Sequence, residues 1–561
     1  LGAALLALHF LLLAGFAWHN SATFDEPVYI VSGLGTVKEG SHVLNIGNGV
    51  FTQAWPALPL FEVPFPLEKL PQAAGTDGNG FSVSVFLDKR FNHQWILFRA
   101  RMMNAMLSVA CGLLLLLAAR RLAGRIPALF TLFLYAFFPA FISNGALATA
   151  EIATTLFFFA SCWTCLQVLR RMTLRSFLLF AASLSLLALS KMSAPLMGPV
   201  SVLIAAFVVF SRIQMSIRLP FLARRRIASK AGKAVVCFAV LLAACFVVML
   251  SIWTAYGFRQ AMPELLAGKS VAGLHAPGLP ARCAEWMSKA KLLPDSYLYG
   301  FACTCVSNSE RWSFLDGVVR KTGYWLFFPK VYLMKTPPAI IFMTIAGLVL
   351  ALAFLKARRG LALGRLAFAA PFAIFSALYL SGALSSNLNI GYRHLMPVLL
   401  PSLLLCALGF KLLIDSRRKN MFALPLSFLV VFWMVFDSMT IYPASLAYFS
   451  PFYGGTRLAF KHIGDSSLDW GQDLENLKPA FEKRGVPLDG SIPIYFSYFG
   501  VLPPSLCGFQ HIDIPHSAPD RLRDALYEFK PGYYCFSATM MQGIGSMNYD
   551  AVPILRNKLE A

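Results

Sequence analysis

Two adjacent carboxylates, Asp25 and Glu26, follow closely on the apolar run Leu1–Trp18. An acid pair placed where a first membrane helix would leave the bilayer can take a proton from a hydroxyl whose reaction partner is half lipid. Such an oxygen is a weak nucleophile and needs a carboxylate within hydrogen-bond reach. A second acid, Glu151, stands in ALATAEIATTLFFFA (Ala146–Ala160), at the outer end of another apolar run. A charge there costs about 2–3 kcal/mol if it enters hydrocarbon. Glu151 reads either as an interfacial helix cap or as a second acid that positions an acceptor or supports the base. Three cations also sit at outer helix ends: Lys191, Lys335 before Thr336-Pro337-Pro338, and Arg393 in NIGYRHLMPV (Asn389–Val398). A departing lipid phosphate needs such cations around its developing charge. The alternative is snorkelling to headgroups. His394 alone reads as structural.

The surroundings of these residues leave two readings open. In FDEPVY (Phe24–Tyr29), Ser21 or Thr23 could cap a helix starting near Pro27, and the carboxylates would then only favour a helix N-terminus. Against that, the pair opens a loop of about eighty residues, too long for a simple connection. In DSSLDWGQDL (Asp465–Leu474), Asp469 and Asp473 are four apart and would share a helical face. Asp465 or Ser466 would cap that helix. Otherwise the turn hangs over the site, with Asp469, Gln472 and Asp473 on the acceptor side. No catalysis is assigned to it.

These residues must be held by membrane helices. The chain has 561 residues, 57% hydrophobic and 14% charged, with a mean hydropathy of +0.62. A soluble protein carries roughly a quarter charged residues, so the class is a polytopic helical membrane protein. Apolar runs at about 1–18, 102–119, 126–143, 152–169, 176–190, 194–211, 234–254, 337–355, 366–382, 395–411 and 421–441 predict about eleven helices. The first lacks a small-residue cleavage site and is expected to stay in place.

The net charge of +22 is a topology signal. Five short stretches hold 21 cations and one anion, Asp415: Arg120–Arg125, Arg170–Arg175, Arg212–Lys233, Lys356–Arg365 and Lys411–Lys419. Lys and Arg concentrate in short cytoplasmic loops. This placement argues against nucleic acid as a partner, and anionic lipid at the inner surface adds a secondary attraction. It also predicts a cytoplasmic N-terminus, with loops 19–98 and 255–336 and a tail from 442 on the other side. The transmembrane part is expected over 1–441. The tail, 442–561, alternates helix (Gln472–Arg484, Pro519–Phe529) and strand (Ser491–Phe499, Gly532–Thr539), predicting a small α/β domain. Aromatic and Pro-rich stretches such as Tyr324–Pro329 read as interfacial segments or as an anchoring belt.

Six cysteines in the apolar runs are small fillers. Cys283, Cys303, Cys305, Cys507 and Cys535 lie in the outer regions, where an oxidising compartment would permit disulfides. Cys303-x-Cys305 has no second pair at zinc spacing, so no metal ligands are assigned. No Gly-rich phosphate loop for a nucleotide sugar is present.

With these residues in view, the chain resembles the phospholipid-carrier-dependent glycosyltransferases of the protein-O-mannosyltransferase and aminoarabinose-transferase superfamily (GT-C fold, GT39-like). The stretches that carry the resemblance are TFDEPVYIVSG (Thr23–Gly33), LATAEIATTLF (Leu147–Phe157), LALSKMSAPL (Leu187–Leu196), LMKTPPAI (Leu333–Ile340), NIGYRHLMPV, YFSPFYGGTR (Tyr448–Arg457), DSSLDWGQDL and PGYYCFSATMMQG (Pro531–Gly543). The resemblance implies an inverting transfer from a polyprenyl-phosphate sugar to an acceptor hydroxyl, on the extracytoplasmic face of a bacterial inner membrane. It implies Asp25 as general base, Glu26 supporting it or binding the acceptor, and Glu151 in place of an Asp. Lys191 and Arg393 would face the carrier phosphate. The acceptor (protein, lipid or glycan), a divalent metal and partners in a membrane complex stay open. Many relatives carry Glu followed by His or Lys and two prolines in the first loop. Here the comparable stretch is Leu44–Val50 (LNIGNGV), which puts in doubt a metal site or a phosphate contact from that loop. Two other classes compete: a flippase or transporter of lipid-linked sugar, and a catalytically silent subunit of a membrane complex. A transporter calls for ionisable residues near mid-helix and broken helices in related halves, whereas here the charges cluster at outer helix ends.

Overall fold

The computed structural model describes residues 1–69, 78–220, 225–261, 266, 268–309, 311–356, 363–415, 420–514 and 530–543. Among the described residues six helices are long and apolar enough to cross a membrane: Gly2–His19, His93–Ala123, Glu151–Arg170, Lys230–Ala255, Ala367–Leu384 and Tyr392–Lys411. Two bent pairs raise the number to eight. The chain is an integral membrane protein, mostly helical. Arg125–Ala136 and Pro139–Ala146 meet at 63°, and Phe327–Lys335 and Pro338–Val349 at 117°. Both breaks fall at proline, which lacks the amide that would continue the helix. Three further apolar helices, Leu174–Ala188, Ala194–Phe210 and Pro425–Ile441, are shorter. Each of the eleven apolar runs therefore holds helix, but among the described residues six, or eight if each bent pair is one span, are long and apolar enough to cross.

The helix His93–Ala123 runs 31 residues, about 46 Å at 1.5 Å per residue. It starts on the side chain of Asn92, which accepts from the amides of Gln94 and Trp95 at 2.9 and 3.2 Å, and it ends with Arg120 and Arg121 in the last turn. The helix Glu151–Arg170 likewise has its acid at one end and Arg170 at the other. Just past Arg170 is a small sheet of Arg171–Met172, Met215–Ile217 and Arg225–Ile227. In Glu151–Arg170 the acid and the described basic residues thus stand at opposite ends of one helix. Arg224, Arg358, Arg359, Arg417, Arg418 and Lys419 lie outside the described residues.

At the acid end the first loop and the tail share one core. Ile30, Leu34, Phe86 and Ile96 pack with Leu474, Phe496, Tyr498 and Leu502. The tail contributes a parallel three-stranded sheet with Ile494–Ser497 between Ile512–Asp513 and Tyr533–Phe536. The segment expected as one helix over Gln472–Arg484 is a 3-10 turn, Leu474–Asn476, followed by a helix, Leu477–Lys483. The helix expected over Pro519–Phe529 lies outside the described residues. All eleven cysteines are free thiols.

Candidate active site

The acid pair divides its two members between opposite environments. Glu26 opens the helix Glu26–Glu39 and is fully buried. Its carboxylate accepts from Arg101 Nε and Nη2 at 2.8 and 2.7 Å, from the Ala148 amide at 2.9 Å, and from the amide and hydroxyl of Thr23 at 2.8 and 2.9 Å. Arg101 spends its other donors on the carbonyls of Ala17, Asn20 and Ser21 at 3.0, 2.6 and 2.8 Å. All five of its N–H groups are therefore used. Burial opposes ionisation of Glu26, but Arg101 and these amides outweigh it and hold the pKa below the ordinary value. The capping expectation is corrected: Asp25 occupies the N-cap without a side-chain cap bond. Thr23 donates to Glu26, and Ser21 Oγ accepts from the Glu475 amide at 2.9 Å. Glu26, sealed in this cage, does not line the cavity and cannot bind an acceptor. It anchors the turn that carries Asp25.

Asp25 points the other way, into a cavity of about 780 Å³. A third of its side chain is exposed there (34%). Arg393 Nη1 donates to Asp25 Oδ2 at 3.1 Å, and Arg393 Nε stands 3.9 Å from Glu151 Oε1. Lys191 Nζ donates to that same Glu151 oxygen at 3.2 Å. Four residues from distant parts of the sequence thus form an alternating chain: Asp25, Arg393, Glu151, Lys191. The guanidinium lies 3.8 Å from the centre of the Trp470 ring, a cation–π contact that fixes its plane. Burial raises the pKa of Asp25 above the ordinary carboxylate value. Arg393 pulls against that rise, while the charges of Glu151 and Asp465 add to it.

The tail straps this site together. The amides of Ser21 and Phe24 donate to the carbonyls of Gln472 and Trp470 at 2.8 and 2.9 Å. Of the DSSLDWGQDL stretch, Asp465 and Trp470 reach the cavity. Asp469, Gln472 and Asp473, expected on the acceptor side, do not line it. Asp469 accepts from the Gly471 and Thr539 amides at 3.3 and 3.1 Å, and Gln472 Oε1 accepts from the Trp470 amide at 2.8 Å. Burial, then the charge of Asp469, pushes the Asp473 carboxyl up to about 6. The shared helical face does not form, because Gly471 adopts φ +87° and turns the chain between the two acids.

Lys335 is the other correction. Its ammonium is buried and donates to the carbonyls of Leu446 and Ser467 at 2.8 and 2.5 Å. It lies behind Arg393, off the main cavity. The helix break after it sends the side chain into the turns of the tail, where it satisfies backbone acceptors.

The altered first-loop stretch does reach the site. Asn45, Gly47 and Asn48 line the cavity, and Gln53 Nε2 holds the carbonyls of Asn45 and Asn48 at 3.0 and 2.8 Å. A Cβ on Gly49 would fall 2.2 Å from the Leu189 carbonyl oxygen, so glycine is required where this loop presses on the backbone before Lys191. The loop thus presents neutral amides to the cavity. Among the described residues no three His, Cys, Asp or Glu side chains gather as a metal would need. Asp25 and Glu151 already have Arg393 and Lys191 as counter-charges, so this donor set does not suit a divalent ion. Arg101, which holds Glu26, and Arg311, Trp312 and Trp470, which line the cavity, were not singled out in the sequence. The local signals for the last three were Arg311 beside Trp312 and Trp470 beside Asp469.

No curated protein matches the chain. Among solved structures, the oligosaccharyltransferase of Archaeoglobus fulgidus in complex with zinc and sulfate is similar at 13% identity and TM-score 0.45, over 89% of this chain and 62% of that one. The chain therefore spans less than two thirds of that protein's length. ArnT from Cupriavidus metallidurans bound to undecaprenyl phosphate is similar at 9% identity and TM-score 0.36, over 95% of this chain and 88% of that one. Likenesses at this level do not define a shared fold. Residues 96–253, which hold Glu151 and Lys191 but neither Asp25 nor Arg393, match the family model described as Dolichyl-phosphate-mannose-protein mannosyltransferase, so over that stretch the resemblance to this glycosyltransferase superfamily holds.

Proposed function

We propose that the chain is an inverting glycosyltransferase of GT-C type that moves a sugar from a polyprenyl-phosphate carrier to an acceptor hydroxyl at the extracytoplasmic membrane face. The observation that supports this most is the meeting of Asp25, Arg393 and Lys191 on the wall of one cavity. That arrangement supplies a base and a phosphate cradle side by side. The acceptor oxygen attacks the anomeric carbon as the carbon–oxygen bond to phosphate breaks, and Asp25 takes the acceptor proton. Attack opposite the leaving group inverts the anomeric centre. Arg393 and Lys191 hold the released phosphate, whose charge is larger than in the donor. Arg393 is engaged by Asp25. An incoming phosphate competes for the guanidinium and so frees the carboxylate as the donor arrives.

The test is release of polyprenyl phosphate from a polyprenyl-phosphate sugar by purified protein, followed across pH. Asp25 works only when ionised, and its pKa is raised, by burial first. Activity should therefore fall on acidification at a pH above the ordinary carboxylate range near 4. A flat rate down to pH 4 contradicts the assignment of the base. The orientation is tested separately. In a cysteine-free background, a cysteine replacing the exposed Arg120 should be labelled from the cytoplasmic side only. Labelling from the opposite side reverses the topology.

A further inference from the structure

The tail sends into the cavity one acid that the mechanism above leaves unused. Asp465 lines the cavity with Asp25 and Arg393 and is half-buried. It heads a 3-10 turn, Asp465–Ser467, docked on the segment that carries Arg393. Ser466 Oγ donates to the Ile390 carbonyl at 3.0 Å, and the Tyr392 amide donates to Ser467 Oγ at 2.9 Å. A Cβ on Gly391 would fall 2.4 Å from Ser466 Oγ, so glycine permits this close approach. Lys335 grips the same turn through the Ser467 carbonyl at 2.5 Å. These bonds fix the turn without Asp465, whose side chain adds one local bond: Oδ1 accepts from the Ser466 amide at 2.5 Å. Its backbone lies in the left-handed region, φ +54°. Asp tolerates that region with a local bond of this kind, and glycine enters it freely. A carboxylate is therefore not needed here for the fold. Nor is it neutralised: Asp25 pairs with Arg393 and Glu151 with Lys191, but among the described residues Asp465 has no ion-pair partner.

What an unpaired anion does there follows from its neighbours. Asp25 faces Arg393 from the turn Tyr392–Leu395, Glu151 from the helix Glu151–Arg170, Tyr29 from the helix Glu26–Glu39, and Asp465 from the tail. Lys191 stands one step further, on Glu151. When a phosphate claims Arg393, Asp25 loses the contact that opposes its protonation. A like charge nearby favours the protonated form of a carboxyl, and Asp465 acts on Asp25 in that sense. A general base must hold the acceptor's proton while the bond to phosphate breaks. We propose that Asp465 is a positioning residue for the base: its uncompensated carboxylate, fixed beside Arg393, makes Asp25 a stronger proton acceptor once phosphate has taken the guanidinium. Asp465 acts through Asp25. This rests on the glycosyltransferase reading above and deepens it, by giving the tail a part in the proton transfer.

The experiment is the pH dependence of binding of undecaprenyl methyl phosphate to the full chain in nanodiscs. This diester carries one fixed charge and does not itself titrate in the range scanned. Protonating Asp25 frees Arg393 and removes a repulsion, so affinity should rise on acidification. The upper edge of that step reports the proton affinity of Asp25 with the phosphate in place. Asp25→Asn should abolish the step, which identifies the titrating group. Asp465→Asn and, independently, Asp465→Gly should move the step to lower pH by about half a unit or more. The glycine variant should melt at or above the wild-type temperature, because the backbone there suits glycine. A role confined to the fold leaves the step in place. If both variants titrate where the wild type does, Asp465 does not act on the base, and the phosphate cradle stands. If the diester does not bind, or if the wild type shows no step, the glycosyltransferase reading loses its cradle or its base, and the proposal falls with it.

Discussion

Asp25→Asn is expected to lower the turnover of sugar transfer by roughly 10²–10⁴-fold, the usual range for a positioned general base, with normal membrane insertion and an unchanged melting temperature. The amide keeps the shape of the side chain and one oxygen for Arg393 but cannot take a proton. The cost to folding is small, because Asp25 is the most open member of the charge chain and makes one hydrogen bond, to Arg393. Donor binding should hold or tighten, since the carboxylate that competes with phosphate for the guanidinium is gone. The check is steady-state kinetics beside thermal unfolding of the same preparation. Transfer at the wild-type rate removes Asp25 from the mechanism, and a collapsed melting temperature turns its role into a structural one.

Arg101→Ala should have the largest effect on stability. Its guanidinium is completely buried, pairs with Glu26 at 2.7 Å and donates to three carbonyls that end the first helix. Removing one partner of a buried pair leaves an uncompensated charge and costs about 3–5 kcal/mol. The double variant Glu26→Gln/Arg101→Met should recover part of the loss, because no buried charge is then left alone. Melting of the purified protein in detergent measures both. An Arg101→Ala protein that melts like wild type would show that Glu26 finds another partner or water. Because Glu26 and Arg101 fix the turn before Asp25, any Arg101→Ala protein that survives should also transfer sugar slowly.

The parts of this site legible in the sequence were those with a charge out of place. Asp25, Glu151, Lys191 and Arg393 each end an apolar run on the side opposite the basic loops, and the membrane makes such charges conspicuous. Lys335 had the same local look, yet its direction was set by the break at Pro337-Pro338 and by carbonyls of the tail more than a hundred residues away. Arg101 was hidden for the opposite reason. It lies inside a 31-residue helix whose apolar run begins just after it, so it looked like the flank of a span. The pairing of Ser21 and Phe24 with Gln472 and Trp470 leaves no periodic signal in either segment. Without it, Trp470 could not be placed against Arg393. The helical face drawn through Asp469 and Asp473 failed at one glycine, where period arguments have no force.

The most direct test of the central claim is the position of undecaprenyl phosphate bound to the purified protein, seen as density in a cryo-electron microscopy map. The phosphate is expected within hydrogen-bond reach of both Arg393 and Lys191, with Asp25 released from the guanidinium and facing the carrier's terminal oxygen. A phosphate seated elsewhere on the molecule, with the Asp25–Arg393 contact intact, would contradict it.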